Sequence, residues 1–127
     1  IEQSRTDWEL IVVDDGSTDD SAKIIEALDD DRIRLVRQTN AGVSAARNRA
    51  KNEICGGMVL FLDGDDLLMP TALERMLDCL EDHPNACAAY GSFIRVDERG
   101  PRPHWQNGLK ATFFLHFCRN SLSPWAL

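Results

Sequence analysis

A short apolar run followed at once by a cluster of acids constrains the fold of this chain more than any other stretch. Residues 58–62 are Met-Val-Leu-Phe-Leu, and the chain continues as Asp63-Gly64-Asp65-Asp66. A run of this length that is apolar on every side is typical of a strand buried in a parallel sheet. Open α/β sheets bind ligands beyond the carboxyl ends of their strands, so the acids stand where a ligand is expected.

These residues alone leave two interpretations of the acidic cluster open. Its three carboxylates lie within four residues and repel one another, and a divalent cation such as Mg²⁺ or Mn²⁺ would relieve that repulsion because both ions prefer oxygen ligands. The alternative is a solvated acidic turn that precedes the next helix, because Asp is common in turns.

A second acidic group ends an earlier apolar stretch, where residues 8–13 run into Asp14 and Asp15. Parallel strands bring equivalent ends to one edge of a sheet, so we expect both acidic groups to face the same crevice. Arg47, in the first turns of a predicted helix, begins from that edge and could hold a diphosphate. A solvated helix face or a salt bridge to Asp14 is the ordinary alternative for Arg47.

Strand and helix patterns alternate along the chain. This alternation predicts an α/β fold, with a mostly parallel sheet, helices on both faces and right-handed crossovers, in a single domain over residues 1–127. The predicted strands are residues 8–15, 33–37, 58–62 and 86–96, the last with a break at Gly91. The predicted helices are residues 19–28, a second helix that opens with residues 43–50 and is ended by Gly56 and Gly57, and residues 70–82. A loop is predicted over residues 97–108, and a helix over residues 109–118.

Composition narrows the choice of partners and compartment. The net charge of −7 argues against nucleic acid or an anionic membrane as a direct partner. No apolar run reaches the length of a membrane span. The four cysteines form no Cys-x-x-Cys pair, and we expect most of them to be buried thiols of a reducing compartment. The cytoplasm is therefore expected, with membrane association through parts outside this sequence left open.

Three blocks of the chain, in this order and spacing, resemble the family-2 glycosyltransferases. The blocks are Glu-Leu-Ile-Val-Val-Asp-Asp-Gly-Ser-Thr-Asp at residues 9–19, Asn-Ala-Gly-Val-Ser-Ala-Ala-Arg-Asn at residues 40–48, and Phe-Leu-Asp-Gly-Asp-Asp at residues 61–66. The resemblance implies a Rossmann-like GT-A fold. It also implies metal-assisted, inverting transfer of a sugar from a nucleotide-diphospho-sugar, with UDP favoured, to a saccharide or lipid-linked acceptor. Cell-wall or polysaccharide biosynthesis is the implied setting.

The resemblance also assigns roles to particular residues. Asp15 corresponds to the acid that hydrogen-bonds the nucleotide base. Asp63 and Asp65 correspond to the Asp-x-Asp motif, with Asp63 facing the ribose and Asp65 binding Mn²⁺ or Mg²⁺. The other implied members of the donor site are Asp14, Ser17 and Arg47, with Asp66 as a second metal ligand.

The sequence departs from the family at both ends. Nothing before Trp8 supplies the family's first strand, and the region of the catalytic base and acceptor site has no counterpart that we can align. We therefore expect a fragment of a longer protein that is inactive by itself, and assign no catalytic base. An uncovered apolar strand edge also predicts a homodimer or a rearranged sheet.

Three other classes remain as alternatives. A response-regulator receiver domain also has an acidic pair after its first strand and an acid like Asp63 at a later strand end, but Lys110 does not suit its required lysine. A noncatalytic nucleotide-binding module is a second alternative. A nucleotidyltransferase is the third, although its usual glycine-rich loop is absent.

Overall fold

The computed structural model describes residues 1–92, 94–97, 100–103 and 117–119. In chain order the elements are β1 (Leu10–Asp14), α1 (Ser21–Glu26), β2 (Ile33–Arg37), α2 (Val43–Lys51), β3 (Met58–Leu60), α3 (Ala72–Asp82), β4 (Ala88–Ala89), β5 (Ile94–Asp97), β6 (Gly100–Pro103) and β7 (Phe117–Arg119). The chain divides into two compact units. We call Arg5–Gly57 the βαβα unit, and Ile1–Ser4 together with Met58–Leu127 the split unit.

Two parallel strands organise the βαβα unit. Leu10 lies opposite Ile33, and the pairing continues to Asp14 opposite Arg37. Parallel neighbours need a crossover rather than a tight hairpin, and α1 lies in that crossover. The mixture of apolar and basic residues in β2 predicts a strand with one face in water. The structure confirms the predicted bounds of this strand.

A carboxylate at the start of β1 ties the far end of the βαβα unit back to its sheet. One oxygen of Glu9 accepts hydrogen bonds from the backbone N–H groups of Cys55 (2.7 Å) and Gly56 (2.9 Å). The other accepts from the Arg34 guanidinium at 3.0 Å. These bonds, that from Cys55 foremost, lower the pKa of Glu9. The chain segment after α2 is thereby fixed to β1 and β2.

The split unit has its core where α3 packs on a short antiparallel sheet. Strand β7 lies between β3 and β4 and pairs with both. The buried residues are Met76, Leu80 and Ala89, of which Leu80 is fully buried. The helical spacing of the apolar residues of α3 predicts this face, and the structure confirms it.

A hairpin replaces part of the loop that was predicted over residues 97–108. β5 and β6 pair antiparallel, with Ile94 opposite Pro103 and Val96 opposite Pro101. The two prolines made a strand look unfavourable. They are two residues apart, however, so the positions without an N–H share one edge of the strand, which an edge strand tolerates.

A further correction concerns β7, because residues 117 and 118 belong to a strand and not to the predicted helix. The rest of that predicted helix, residues 109–116, lies outside the described residues. The α/β class is confirmed, with the parallel β1–β2 pair joined by a helix and antiparallel pairs in the split unit. The expectation of buried thiols is wrong for Cys55, Cys79 and Cys87, which are exposed. Within the described part of the chain, no helix is long and apolar enough to cross a membrane.

Candidate functional site

The predicted site residues divide between the two units, and each group is described within its own unit. The βαβα unit contains Asp14, Asp15, Ser17 and Arg47. The split unit contains Asp63, Asp65 and Asp66. In the βαβα unit, Asp14, Asp15 and Ser17 lie at or just after the carboxyl end of β1. In the split unit, Asp63, Asp65 and Asp66 follow the carboxyl end of β3.

Asp14, the last residue of β1, shapes the turn that leaves the strand. Its side chain accepts a hydrogen bond from the backbone N–H of Ser17 at 2.8 Å, which closes a turn over residues 14–17. Hydrogen bonds from Ser17, its side chain first and then its backbone, lower the pKa of Asp14. The backbone carbonyl of Asp14 accepts from the N–H of Gln38 at 2.9 Å. The structure therefore brings Asp14 and Ser17 together, as a turn that continues the β1–β2 ladder.

Asp15 connects the end of β1 to the segment that enters α2. Its Oδ1 accepts from the side-chain amide of Gln38 (2.7 Å) and from the backbone N–H of Ala41 (2.8 Å). Its Oδ2 accepts from the backbone N–H of Gly42 at 2.8 Å. These bonds, the one from Gln38 foremost, lower the pKa of Asp15, so the carboxylate is ionised at neutral pH. Asp15 thus acts as a clamp on residues 38–42.

Gly16 completes this contact from the other side of the turn. Its φ is +82°, and a Cβ atom built there would lie 2.9 Å from the backbone nitrogen of Asn40. A side chain at this position would meet backbone, in a conformation that L-residues rarely adopt. The first two sequence blocks, residues 9–19 and 40–48, are therefore parts of one corner of the βαβα unit.

Arg47 is the central residue of α2, the helix that begins at this corner. Its side chain is exposed and already takes part in an interaction within the structure. The helix begins after Gly42, whose φ is +88°, a conformation that glycine adopts far more readily than other residues. The clamp on Ala41 and Gly42 thus fixes the start of the helix that carries Arg47.

The second acidic group forms an exposed turn after β3. The backbone N–H of Asp66 donates to the carbonyl of Asp63 at 3.0 Å. All three carboxylates are exposed, and Asp63 already has an interaction of its own. Among the described residues, the side chains of Asp65 and Asp66 take part in no hydrogen bond or ion pair. We call residues 63–66 the acidic turn.

No preformed metal cage is present in the described residues. They contain no group of three or more His, Cys, Asp or Glu side chains that could hold a metal ion. The described residues by themselves therefore offer a metal at the acidic turn fewer than three such ligands.

Sequence reasoning missed two glutamines that hold these segments. Gln38 binds Asp15, and Gln3 binds the backbone around the start of α3. The signal for the first is the register of β1 and β2, which brings residue 38 beside the end of β1. Nothing in the polar stretch before Trp8 marks Gln3 as important.

Comparisons with known proteins agree with the sequence blocks. The family model described as "Glycosyl transferase family 2" matches residues 1–123. An uncharacterised glycosyltransferase of Rickettsia bellii is 35% identical over 79% of this chain and 14% of its own length. The uncharacterised glycosyltransferase YibD of Escherichia coli strain K12 is 41% identical over 65% of this chain and 25% of its own length. A chondroitin synthase of Escherichia coli is 33% identical over 79% of this chain, again across a small share, 15%, of the relative's length.

Proposed function

The chain belongs to glycosyl transferase family 2, and from that premise we propose that it forms the donor-binding part of an enzyme that transfers a sugar from a nucleotide-diphospho-sugar to an acceptor hydroxyl. The family implies the GT-A type of α/β fold, with which the parallel β1–β2 pair and its helices agree. Family membership also argues against the receiver-domain and nucleotidyltransferase alternatives. Because the chain spans a small part of its relatives, transfer itself is proposed for the whole protein.

One observation carries the proposal, namely the exposed carboxylates of Asp65 and Asp66 in the turn that follows β3. Two exposed acids that bind no partner among the described residues keep their oxygens available for a ligand. Carboxylates this close repel one another, so a cationic ligand would stabilise them together. If the segment were only a solvated acidic turn, its match to the Asp-x-Asp motif of the family would have no chemical role.

Asp15 is the proposed contact to the base. A carboxylate offers about four acceptor positions, of which Gln38, Ala41 and Gly42 occupy three. The remaining position suits a single N–H donor such as that of uracil, which supports a UDP-sugar. The low pKa of Asp15 keeps it an acceptor at neutral pH. Asp14 and Ser17 shape the turn beside it, and Arg47 is the proposed partner of the diphosphate.

The acidic turn fits a divalent metal by the chemistry of its donors. Carboxylate oxygens suit Mg²⁺ and Mn²⁺, and Mg²⁺ commonly takes only one or two protein carboxylates beside phosphate oxygens and water. We propose Asp65 and Asp66 as the residues that hold it and Asp63 as the ribose contact. When bound, such an ion stabilises the negative charge that develops on the leaving diphosphate.

For the acceptor and the catalytic base, we propose only the chemical class. Inverting transfer requires a base that takes the proton of the acceptor hydroxyl, and no described residue is assigned to that role. A saccharide or lipid-linked hydroxyl in polysaccharide biosynthesis is the proposed acceptor. One relative, named chondroitin synthase, supports this setting.

A homodimer through strand edges is a further part of the proposal. Among the described strands, β1 pairs with β2 alone, and an apolar strand edge without a partner favours association. Light scattering that gives the mass of a monomer would contradict this part and leave the donor site untouched.

Calorimetric titration of UDP into the full chain, with and without Mn²⁺, tests the donor site. We expect metal-dependent binding that Asp65→Ala abolishes. Asp78→Ala is the matched control, because Asp78 is an exposed carboxylate on α3 outside the acidic turn. A folded chain, judged by circular dichroism, that binds no UDP in either condition would contradict the proposal.

A further inference from the structure

The first residues of the chain are tied to the backbone that follows the acidic turn. The side-chain amide of Gln3 donates to the carbonyl of Met69 at 2.9 Å. Its carbonyl oxygen accepts from the backbone N–H of Leu73 at 3.2 Å. The nitrogen and the oxygen of the Gln3 side-chain amide thus both bind backbone between the acidic turn and the first turn of α3, within the split unit.

Ser4 extends the same attachment by one residue. Its backbone N–H donates to the carbonyl of Pro70 at 2.7 Å, and its hydroxyl donates to the Glu74 carboxylate at 2.9 Å. The Pro70 contact uses backbone only and is therefore independent of the side chain at position 4. The Glu74 contact depends on the hydroxyl and reaches α3 rather than the acidic turn.

Gln3 supplies a cap that α3 lacks locally. The N-cap residue of α3, Thr71, makes no side-chain cap hydrogen bond. The N–H groups in the first turn of a helix have no partner within the helix, and Leu73 carries one of them. The Gln3 carbonyl satisfies this donor from a distant part of the chain.

Gln3 also holds the exit of the acidic turn, where burial gives little support. Leu67 is 94% exposed and Met69 is 65% exposed, and only Leu68 between them is half-buried, so packing holds the segment weakly. The Met69 carbonyl accepts from Ala72 N–H at 2.9 Å as well as from Gln3. Hydrogen bonds therefore fix the backbone that leaves Asp66, and those from outside the segment are the Gln3 bond to Met69 and the Ser4 backbone bond to Pro70.

We propose that Gln3 is a positioning residue for the donor site, which it serves by fixing the backbone on the C-terminal side of the acidic turn. This inference rests on the proposed function, because it assumes that Asp65 and Asp66 bind the metal and diphosphate of the donor. Two carboxylates hold one ligand tightly only if the backbone between and after them keeps a fixed geometry. The Met69 contact is the one that transmits this effect, whereas the Leu73 contact stabilises α3.

Two substitutions separate these contacts. Gln3→Glu keeps an oxygen for the Leu73 N–H, where a negative charge suits the helix N-terminus, but sets its other oxygen against the Met69 carbonyl. Gln3→Met removes both hydrogen bonds at similar side-chain length. Ser4→Ala is the control, because it removes only the hydroxyl contact to Glu74.

The experiment measures three quantities on the full chain for each variant. These are the thermal unfolding midpoint, the amide NMR signals of residues 63–66, and the affinity for UDP in the presence of Mn²⁺. For Gln3→Glu we expect a midpoint near that of the unsubstituted chain, shifted amide signals and an affinity weakened roughly threefold to tenfold, the factor that one net hydrogen bond represents. Gln3→Met should show the same shifted signals and weakened affinity and, in addition, a lower thermal unfolding midpoint. Ser4→Ala should leave the amide signals and the affinity unchanged.

The outcomes separate this inference from the proposed function. If the unsubstituted chain binds UDP and Gln3→Glu binds it equally well, the positioning role is overturned and the donor site stands. If the unsubstituted chain binds no UDP, the proposed function fails, and the amide signals alone decide the role of Gln3. Signals of residues 63–66 that shift in Gln3→Glu and not in Ser4→Ala then support it, and unshifted signals overturn it.

Discussion

The two acidic groups look alike in sequence, yet the structure uses them differently. Asp14 and Asp15 accept hydrogen bonds from the backbone or side chains of residues 17, 38, 41 and 42. Asp65 and Asp66 are exposed and have no such partners among the described residues. A strand followed by two acids therefore marks a place in the sheet and not, by itself, a single chemical role.

The difference originates in what lies beside each strand end. The β1–β2 register brings residues 38–42 to the end of β1, where their N–H groups meet the Asp15 carboxylate. The acidic turn is closed by its own backbone, through the bond from Asp66 to Asp63. The first group is thus built into the architecture, and the second is left accessible to a ligand.

Among the tests of the difference between the two acidic groups, we expect the largest effect on the binding of the sugar donor. Asp65→Asn should weaken the affinity for UDP with Mn²⁺ on the order of a hundredfold, because a neutral amide is a poor ligand for a hard cation. The thermal unfolding midpoint should stay unchanged, since Asp65 has no partner among the described residues. Titration calorimetry and circular dichroism on the same samples measure both, and a lowered midpoint would contradict the comparison.

A pair of glycine substitutions contrasts the rigidity of the two groups. Gly16→Ala should lower the free energy of unfolding by about 1–3 kcal/mol, because its φ is +82° and the new Cβ would crowd Asn40. Gly64→Ala, in the acidic turn, has no atom within 4 Å of the new Cβ. It should leave stability unchanged or raise it by up to ~1 kcal/mol. Urea unfolding compares the two, and equal costs would break the distinction.

Removing the charge of each group should affect stability unequally. Asp15→Asn leaves one oxygen for three N–H donors and turns an NH₂ group toward at least one of them, so the chain should melt at a lower temperature. The loss should be smaller than that of Gly16→Ala, because the turn is open to water. Asp66→Asn is the matched control and should melt like the unsubstituted chain. A drop in Asp66→Asn as large as that in Asp15→Asn would count against the comparison.

The smallest expected effect is on acid stability. Hydrogen bonds from Arg32 lower the pKa of Asp30, in the βαβα unit, from 3.8 to about 2. As the pH falls, the unfolded chain takes up this proton first, so this contribution to stability is present above pH 3.8 and is lost toward pH 2. Asp30→Asn should flatten the decline of the urea midpoint across that window, whereas Asp31→Asn should not. Parallel pH profiles for the two variants would refute this assignment.

The sequence predicts the elements of this chain better than their ends. The bounds of β2 and the core face of α3 are confirmed, because alternation and helical spacing report directly on which side is buried. β3 ends at Leu60, although the apolar run continues to Leu62. Apolar composition contains no information on that limit.

For the candidate site, too, the sequence predicts some features and not others. Its residues could be named from the motif blocks, and no finding from the structure replaces any of them. Their contacts could not be named, because the partners of Asp15 lie 23 to 27 residues away and reach it only through the β1–β2 register. The roles of Asp63, Asp65 and Asp66 stay predictions until donor binding is measured.

The attachment of Gln3 has a consequence for how the chain is made. Its partners Met69 and Leu73 lie 66 and 70 residues later, beyond the continuous βαβα unit. At about 5–20 residues per second of synthesis, roughly 3.5–14 s separate the emergence of Gln3 from that of Leu73. The βαβα unit is therefore fully synthesised before the split unit can close around its own first residues. Because closing so long a separation costs entropy, we expect the Gln3 contacts to be absent from the folding transition state, so that substitution of Gln3 speeds unfolding and leaves the folding rate nearly unchanged.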